Sequence, residues 1–514
     1  EMGHMRSDNV TGSTIFVGSG SGIFFVRTVR AALAKHLSSS SEVVSEMVPG
    51  EDDHVHPQSP PNSLWNRDEV DFSSPDQIQV DPSITFDSLV RWSESYFDIW
   101  HPPFPFLHAP SILELFEKVA SHGVSPLNSI ESIVVRSVLS IAVADRRQLP
   151  ACNETLVPST LIFRSIEDAV SCLVPILIQP STISSIQAAV SIQVFLLSML
   201  RLNTASRFSG LIIQMAFHLG LHRCPTRYKQ FSKPEADMRR RLFWSIYSLE
   251  RFLVQSLGLP LSLKDDDVDV CHPQEENHLE DDGYGNITYP PHELFLLPEF
   301  LARNSQIKGL ILELRHKNIK FRVTDPDEVA RIDAEISRWW NDVQDFIDPV
   351  STEDDDLYTA EANATITHLK PCHRLLLVVQ KHEAVILLNR PVITSGSSIA
   401  IAAAMQKCIG ASKAIISIVF QHLQNSLRSE GSRDGRIQQP LFWPGFTWCV
   451  WMSGLILLYA ASDGCYSVSV AERLANRCIK ILDNISLRGG FWPGACAATI
   501  RDLQQALQKK VEND

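Results

Sequence analysis

From about Thr85 to Leu507 apolar residues return at three- and four-residue steps, the spacing of helices that bury one face. Polar breaks fall near Asn153 and over residues 278–289, 351–358 and 425–439. Neither a sustained two-residue alternation nor an internal repeat interrupts this pattern, so it predicts an all-α body. We expect a large multi-helix domain over residues 83–508, in one or two lobes. Residues 38–82 are rich in Ser, Pro, Glu and Asp and predict a flexible surface linker, with Trp65 as its one anchoring candidate. Before it lies an N-terminal segment, residues 6–37. Residues 1–5, EMGHM, read as a cloning remnant, and 509–514 form a short tail.

The densest pattern runs from Thr204 to Pro273. Phe208, Leu211, Ile212, Met215, Ala216 and Leu219 share one helical face, and Gly220 supplies a left-handed stop. Pro234 stands where a second helix can begin without losing a needed amide donor. Met238, Leu242, Ile246, Leu249 and Leu253 then form an inward stripe thickened by Phe243, Trp244 and Phe252. Arg239, Arg240 and Arg241 span roughly 200° of that helix at about 100° per residue, so they cannot all point into free solvent. At least one should meet an acid, with Glu250, Asp265, Asp266, Asp267 and Asp269 as candidates.

Between Arg436 and Asp463 the chain carries no charge. FTWCVWMSGLILLYAAS is long enough to raise a membrane span. Pro440, Pro444 and Gly445 shorten its helical part to roughly 16 residues, and the neighbouring sequence shows neither a second span nor the basic flanks of one. The expectation is a central helix buried on all sides and no membrane contact.

At the Thr204–Pro273 block the chain resembles the fungal-specific transcription factor domain, or middle homology region, of zinc binuclear cluster regulators. The matching residues are Gly220, Leu221 and His222; the run Met238 to Trp244; Ile246 to Arg251; the turn Gly258 and Pro260; and Asp265 to Asp269, including Asp267. Glu250 replaces the usual Asp, and Leu259 stands where Arg is common. Three further segments resemble the family in the right order: Ser13 to Val26 with its Gly-Ser-Gly-Ser-Gly run, HPPFPFLH from His101 to His108, and HEAVILLNRP from His382 to Pro391.

The family's DNA-binding module needs six cysteines in two tight groups that share two zinc ions. The ten cysteines here are scattered, none within ten residues of another, so this chain encodes no zinc cluster and zinc is expected only in a separate N-terminal module. A formal charge of −13 with pI near 5.7 repels a phosphate backbone, so DNA would be reached only through that module. Scattered thiols suit a reducing compartment, where they serve as small core residues.

Other chemistry finds little support. Gly18 to Gly22 fails the spacing of a phosphate cradle and reads as a flexible turn ahead of a helix near Ile23. His218 and His222 have metal-ligand spacing, but Gly220 ends the helix between them; they read as capping and core histidines, as do His54 and His56 in the linker, and no metal is assigned. No Gly-x-Ser-x-Gly elbow occurs and nothing singles out a nucleophile, so the chain reads as a non-enzyme without a cofactor of its own. Aromatic side chains invite a pocket: Phe217, Trp244, Tyr247, Phe252, Trp448 and Trp451, with Arg207 or Arg251 to hold an anion. Gly220, His222, Arg239 to Arg241, Glu250, Gly258, Pro260, Asp265, Asp267 and Asp269 read as structural.

The resemblance implies a nuclear regulatory domain, shuttling or not with the cytoplasm, that controls transcription in response to a metabolite or partner protein. Its expected partners are a small-molecule effector, the transcription machinery or a coregulator, and a second copy of itself. Two other classes stay open: a ligand-independent dimerisation or coactivator-binding module, and an enzyme on the same scaffold.

Overall fold

The computed structural model describes residues 3–7, 14–37, 47–51, 64–72, 84–149, 156–273, 295–316, 326–347, 369–394, 398–428 and 439–513. Their elements are almost all helices, as the periodicity predicts. The chain divides into two compact units. The first combines Glu1–Val48, Arg303–Ile485 and Pro493–Asp514, and the second combines Pro49–Ala302 with Ser486–Trp492.

The N-terminal piece of the first unit is a hairpin, β1 (His4–Ser7) antiparallel to β2 (Thr14–Val17), followed by α1 (Ile23–Leu33). The second unit then holds β3 (Val70–Asp71), α2 (Phe86–Ser95), α3 (Ala109–His122) and α4 (Ser129–Arg146). Next come β4 (Val157–Pro158), parallel to β3, and the short helices α5 (Ile166–Ser171) and α6 (Val174–Leu177). The unit continues with α7 (Ile183–Ser198), α8 (Leu202–His218) and α9 (Lys233–Leu257). The remaining helices are α10 (Leu296–His316), α11 (Pro326–Ile347), α12 (Pro371–Ile393), α13 (Ser398–Arg428), α14 (Gly445–Ser462), α15 (Val468–Ser486) and α16 (Trp492–Asn513).

Local chemistry explains several starts. Thr85 with Ser88, Asn128 with Glu131, and Thr182 with Ser185 each form a reciprocal capping box that satisfies exposed amides of the first turn of α2, α4 and α7. In the second unit α4, α7, α8 and α9 pack in sequence. A buried carboxylate ties this core to the chain's late return. Asp145 accepts from Trp100 Nε1 at 3.1 Å, from the Ser95 hydroxyl, and from Arg488 Nη2 at 2.5 Å. Both charged side chains are shut off from water, at 0% and 1% exposure.

In the first unit α14 is the central buried helix, in agreement with the uncharged stretch in the sequence: 16 of its 18 residues are buried. A methyl group on Gly454 would lie 2.8 Å from Ile500 of α16, so the small residue lets these helices approach closely. A second helix, α13, is also long and apolar enough to cross a membrane, and it packs along α12 and α14.

Two expectations change. The run Gly18 to Gly22 is a packed turn rather than a flexible one: a 3-10 turn at Ser19–Ser21 leads into α1, and Ser21 O accepts a 3.0 Å bond from Trp448 Nε1. Gly22 has φ +99°, and a methyl group there would sit 2.5 Å from Met452 Cε and 2.9 Å from Arg390 Nη1. Within the expected linker, residues 64–72 are docked into the second unit. Trp65 is 3% exposed and donates to Phe163 O at 2.6 Å, while Arg147 lies 4.9 Å over its ring and pairs with Glu69 at 2.7 Å. His54 and His56 lie outside the described residues.

Candidate functional site

The Thr204–Pro273 block folds as predicted into α8, a loop, α9, a turn and an acidic segment, all in the second unit. Gly220, with φ +65°, follows the end of α8, and Leu221 N bonds back to Ala216 O at 2.9 Å. Pro234 sits in the first turn of α9, and Gly258, with φ +68°, caps its end by bonding Val254 O. Pro260 is exposed in the turn that follows.

A buried charge cluster joins that turn to α9. Arg251, with no exposed side-chain surface, donates to Glu250 Oε2 at 2.5 Å and to Asp265 Oδ1 at 2.7 Å. Glu250 Oε1 accepts from Ser262 N at 2.7 Å, and the Tyr247 hydroxyl donates to Asp265 at 2.5 Å. The Arg251 guanidinium also lies 4.2 Å over the Tyr247 ring. Burial opposes the Arg251 charge, but Tyr247, Glu250 and Asp265 outweigh it and hold the group protonated. Burial pushes the Glu250 carboxyl up, against the pull of Arg251 and of backbone donors. The predicted acids therefore meet Arg251. The triple arginine goes elsewhere: Arg240 pairs with Asp237 one turn earlier, Arg239 reaches Leu219 O at 3.1 Å and lies 3.9 Å over Phe231, and Arg241 lies 4.2 Å over Phe295.

The acidic segment is pinned to the loop after α8 by Asp269. Its N–H donates to His222 O at 3.2 Å, and its carboxylate accepts from Cys224 N at 2.9 Å and Arg227 Nη1 at 2.6 Å. Asp267 is exposed, and its charge acts on the His222 ring. His222 meets the Phe217 ring edge-on at 5.0 Å; burial, then the Arg223 charge, pulls its pKa below the ordinary histidine value. His218 is exposed. Among the described residues no group of three or more His, Cys, Asp or Glu side chains is placed to hold a metal ion.

The aromatic residues expected to line a pocket fall into two groups. Trp244, Tyr247 and Phe252 are at most 3% exposed in the core of the second unit, where Trp244 Nε1 donates to Cys271 O at 2.8 Å and its ring stacks on His272 at 4.6 Å. Phe217 is half-buried. Arg251, expected as an anion-holding group, has its guanidinium occupied by Glu250 and Asp265, and Arg207 is exposed and reaches Thr204 at 3.4 Å. Trp448 and Trp451 belong to the first unit, where the Arg390 guanidinium lies 5.5 Å from the Trp448 ring.

Two sets of side chains had no signal in the sequence. In the second unit Cys224 Sγ lies 3.0 Å from Cys271 Sγ although 47 positions separate them. In the first unit Lys308 of α10 and Glu383 of α12 form an ion pair at 2.5 Å, exposed by only 4% and 2%. The Cys449 thiol lies beside this pair, pushed up by burial and by the Glu383 charge. On α10, one turn before Lys308, Asn304 is 1% exposed, and neither its amide oxygen nor its nitrogen has a partner among the described residues. A pair of residues so far apart leaves no local spacing to read.

With this geometry in place, comparison with known proteins gives the class. Residues 94–339 match the fungal specific transcription factor domain. It is similar to a probable transcription factor (FUP6) of Fusarium proliferatum, 28% identical over 97% of this chain and 76% of that protein. It is also similar to the transcriptional activator protein acu-15 of Neurospora crassa, 22% identical over 85% of this chain and 44% of the relative. A third relative, activator of stress genes 1 of Saccharomyces cerevisiae, is 35% identical over 21% of this chain and 11% of its own length. No solved structure matches the chain. The chain is thus similar, over residues 94–339 and in these relatives, to regulators of fungal transcription.

Proposed function

We propose that this chain is the effector-sensing regulatory part of a fungal zinc-cluster transcription factor. It acts in the nucleus, reaches DNA through a zinc-bearing module outside this sequence, and changes its engagement with the transcription machinery when a small polar molecule binds. The observation that carries the effector is Asn304. A buried carboxamide without partners is destabilising by about 1–3 kcal/mol, so a ligand offering both a donor and an acceptor gains there what the empty protein lacks. The Gln380 Oε1 atom, one turn from Glu383 on α12, is likewise buried without a partner among the described residues. A ligand that binds one arrangement of α10 and α12 more tightly than another shifts their balance.

Native mass spectrometry of the purified chain, followed by denaturation, should release a small molecule retained in stoichiometric amount, and Asn304→Leu should lower its retention at least about tenfold, the loss of one or two good hydrogen bonds. Retention unaffected by Asn304→Leu would refute the site. A clean apo-protein whose mass rises with concentration would favour a ligand-free interaction module instead. That second reading is supported by Val174, Leu177 and Ile178, which are 59%, 41% and 82% exposed on and just after α6.

A further inference from the structure

Cys224 and Cys271 meet at the junction that the Asp269 hydrogen bonds build. Cys224 opens a 3-10 turn (Pro225–Arg227) after α8, and Cys271 follows Val270 in the extended end of the acidic segment. The two backbones are held side by side, because Asp269 N bonds His222 O at 3.2 Å and Cys224 N bonds the Asp269 carboxylate at 2.9 Å. The sulfurs are 3.0 Å apart. Closing a disulfide to about 2.05 Å therefore needs only about 1 Å of sulfur movement.

We propose that Cys224 and Cys271 are an oxidation site, a dithiol that a hydroperoxide converts reversibly to an intramolecular disulfide. The balance is two thiols plus one hydroperoxide giving one disulfide, one alcohol or water from the peroxide, and one water. Cys271, half-buried, is the sulfur a peroxide can reach, whereas Cys224 is 1% exposed. The Cys271 thiolate attacks the peroxide oxygen, the O–O bond breaks, and a sulfenic acid forms. The Cys224 sulfur then attacks the sulfenic sulfur, the S–S bond forms, and hydroxide leaves with the proton from Cys224 as water.

The setting of Cys224 favours this second step. Burial pushes its thiol up, but in the reduced pair hydrogen bonds from the Thr226 hydroxyl at 2.9 Å and from Cys271 outweigh it and lower the pKa, and the Thr226 hydroxyl remains in place after Cys271 is oxidised. Other thiols are set the opposite way: burial raises Cys408 to about 12 and raises Cys478 as well, and the exposed Cys465 is raised by the Asp463 carboxylate. Once formed, the bond closes a covalent loop around the whole of α9 and fixes the acidic segment to the loop after α8.

The test uses the full chain, reduced and then titrated with hydrogen peroxide. Free thiols are trapped with N-ethylmaleimide under denaturing conditions before intact-mass analysis and peptide mapping. The expected product lacks two hydrogens, about 2 Da, joins the peptides carrying Cys224 and Cys271, and recovers both alkylatable thiols with dithiothreitol. Cys224→Ser should leave Cys271 trapped as a sulfenic acid that dimedone labels, and Cys271→Ser should slow the loss of the Cys224 thiol at least about tenfold. The inference is overturned if peroxide consumes other thiols while Cys224 and Cys271 both remain alkylatable, or if either cysteine crosslinks elsewhere. The map of the unaltered chain decides this without any variant, so a folding defect cannot imitate the result.

Discussion

Replacing Arg251 by methionine tests whether the family signature is an internal brace. Methionine keeps an unbranched stem in the space, so packing changes little, but it removes the guanidinium that meets both Glu250 and Asp265. Asp265 is 39% exposed and is rehydrated by water. Glu250 is 1% exposed and retains chiefly the backbone donor of Ser262. Leaving a buried carboxylate unpaired is destabilising by about 3–5 kcal/mol. At about 2–4 °C per kcal/mol for a unit of this size, Tm falls by roughly 6–20 °C. The assay is thermal and urea unfolding by circular dichroism, run on Arg251→Met, Glu250→Gln and the double variant. Because the penalty is the unpaired charge, the double variant should be more stable than Arg251→Met alone. The pH dependence has a definite sign. Losing Arg251 removes a downward pull on Glu250, whose folded pKa burial has already raised, so the variant's deficit is largest at neutral and alkaline pH and shrinks as pH falls and Glu250 takes up a proton. A loss below about 1 kcal/mol, or a double variant as unstable as the sum of the singles, would refute the brace.

Gly22→Ala should destabilise the chain by about 1–3 kcal/mol, since φ +99° is strained for alanine and the methyl group meets Met452 and Arg390; an unchanged Tm would remove the packed role of that turn. His382 is held to a pKa of about 4 by burial, with a smaller push from Lys381. Folding therefore excludes a proton that the unfolded chain binds below about pH 6.5, so stability falls by about 3 kcal/mol as pH drops towards 4. His382→Gln should flatten that part of a pH series of denaturant unfolding curves, and an unaltered slope would show that the histidine is protonated in the fold.

The helices were legible because burial imposes a period that residues such as Met238, Leu242, Ile246 and Leu249 repeat without interruption. Gly220 and Pro234 were legible for a different reason, since each fits a backbone requirement at a helix end, whereas Gly258, which caps α9, entered only through the family resemblance. Ion-pair partners were not. A run of charges states that partners are needed but not which turn of chain delivers them, so Asp237 was missed for Arg240, and the acids proposed for the triple arginine meet Arg251 instead. The thiol pair and the Lys308–Glu383 pair were invisible for the same reason: their partners lie 47 positions away or on another helix. Trp65 stood out as an anchor for residues 64–72, but its partners Arg147 and Phe163 lie far along the chain and left no local signal.

The Asp145–Arg488 pair sets a timetable for synthesis. A ribosome adding about 5–20 residues per second needs roughly 20–70 s to travel the 343 positions between the two side chains. Throughout that interval the helices around Asp145 are complete in sequence while the cation for its carboxylate has yet to be made. In that interval Asp145 can still meet Ser95 and Trp100, which are already made, but not Arg488. The Arg488 contact is therefore added after the helices around Asp145 have been synthesised.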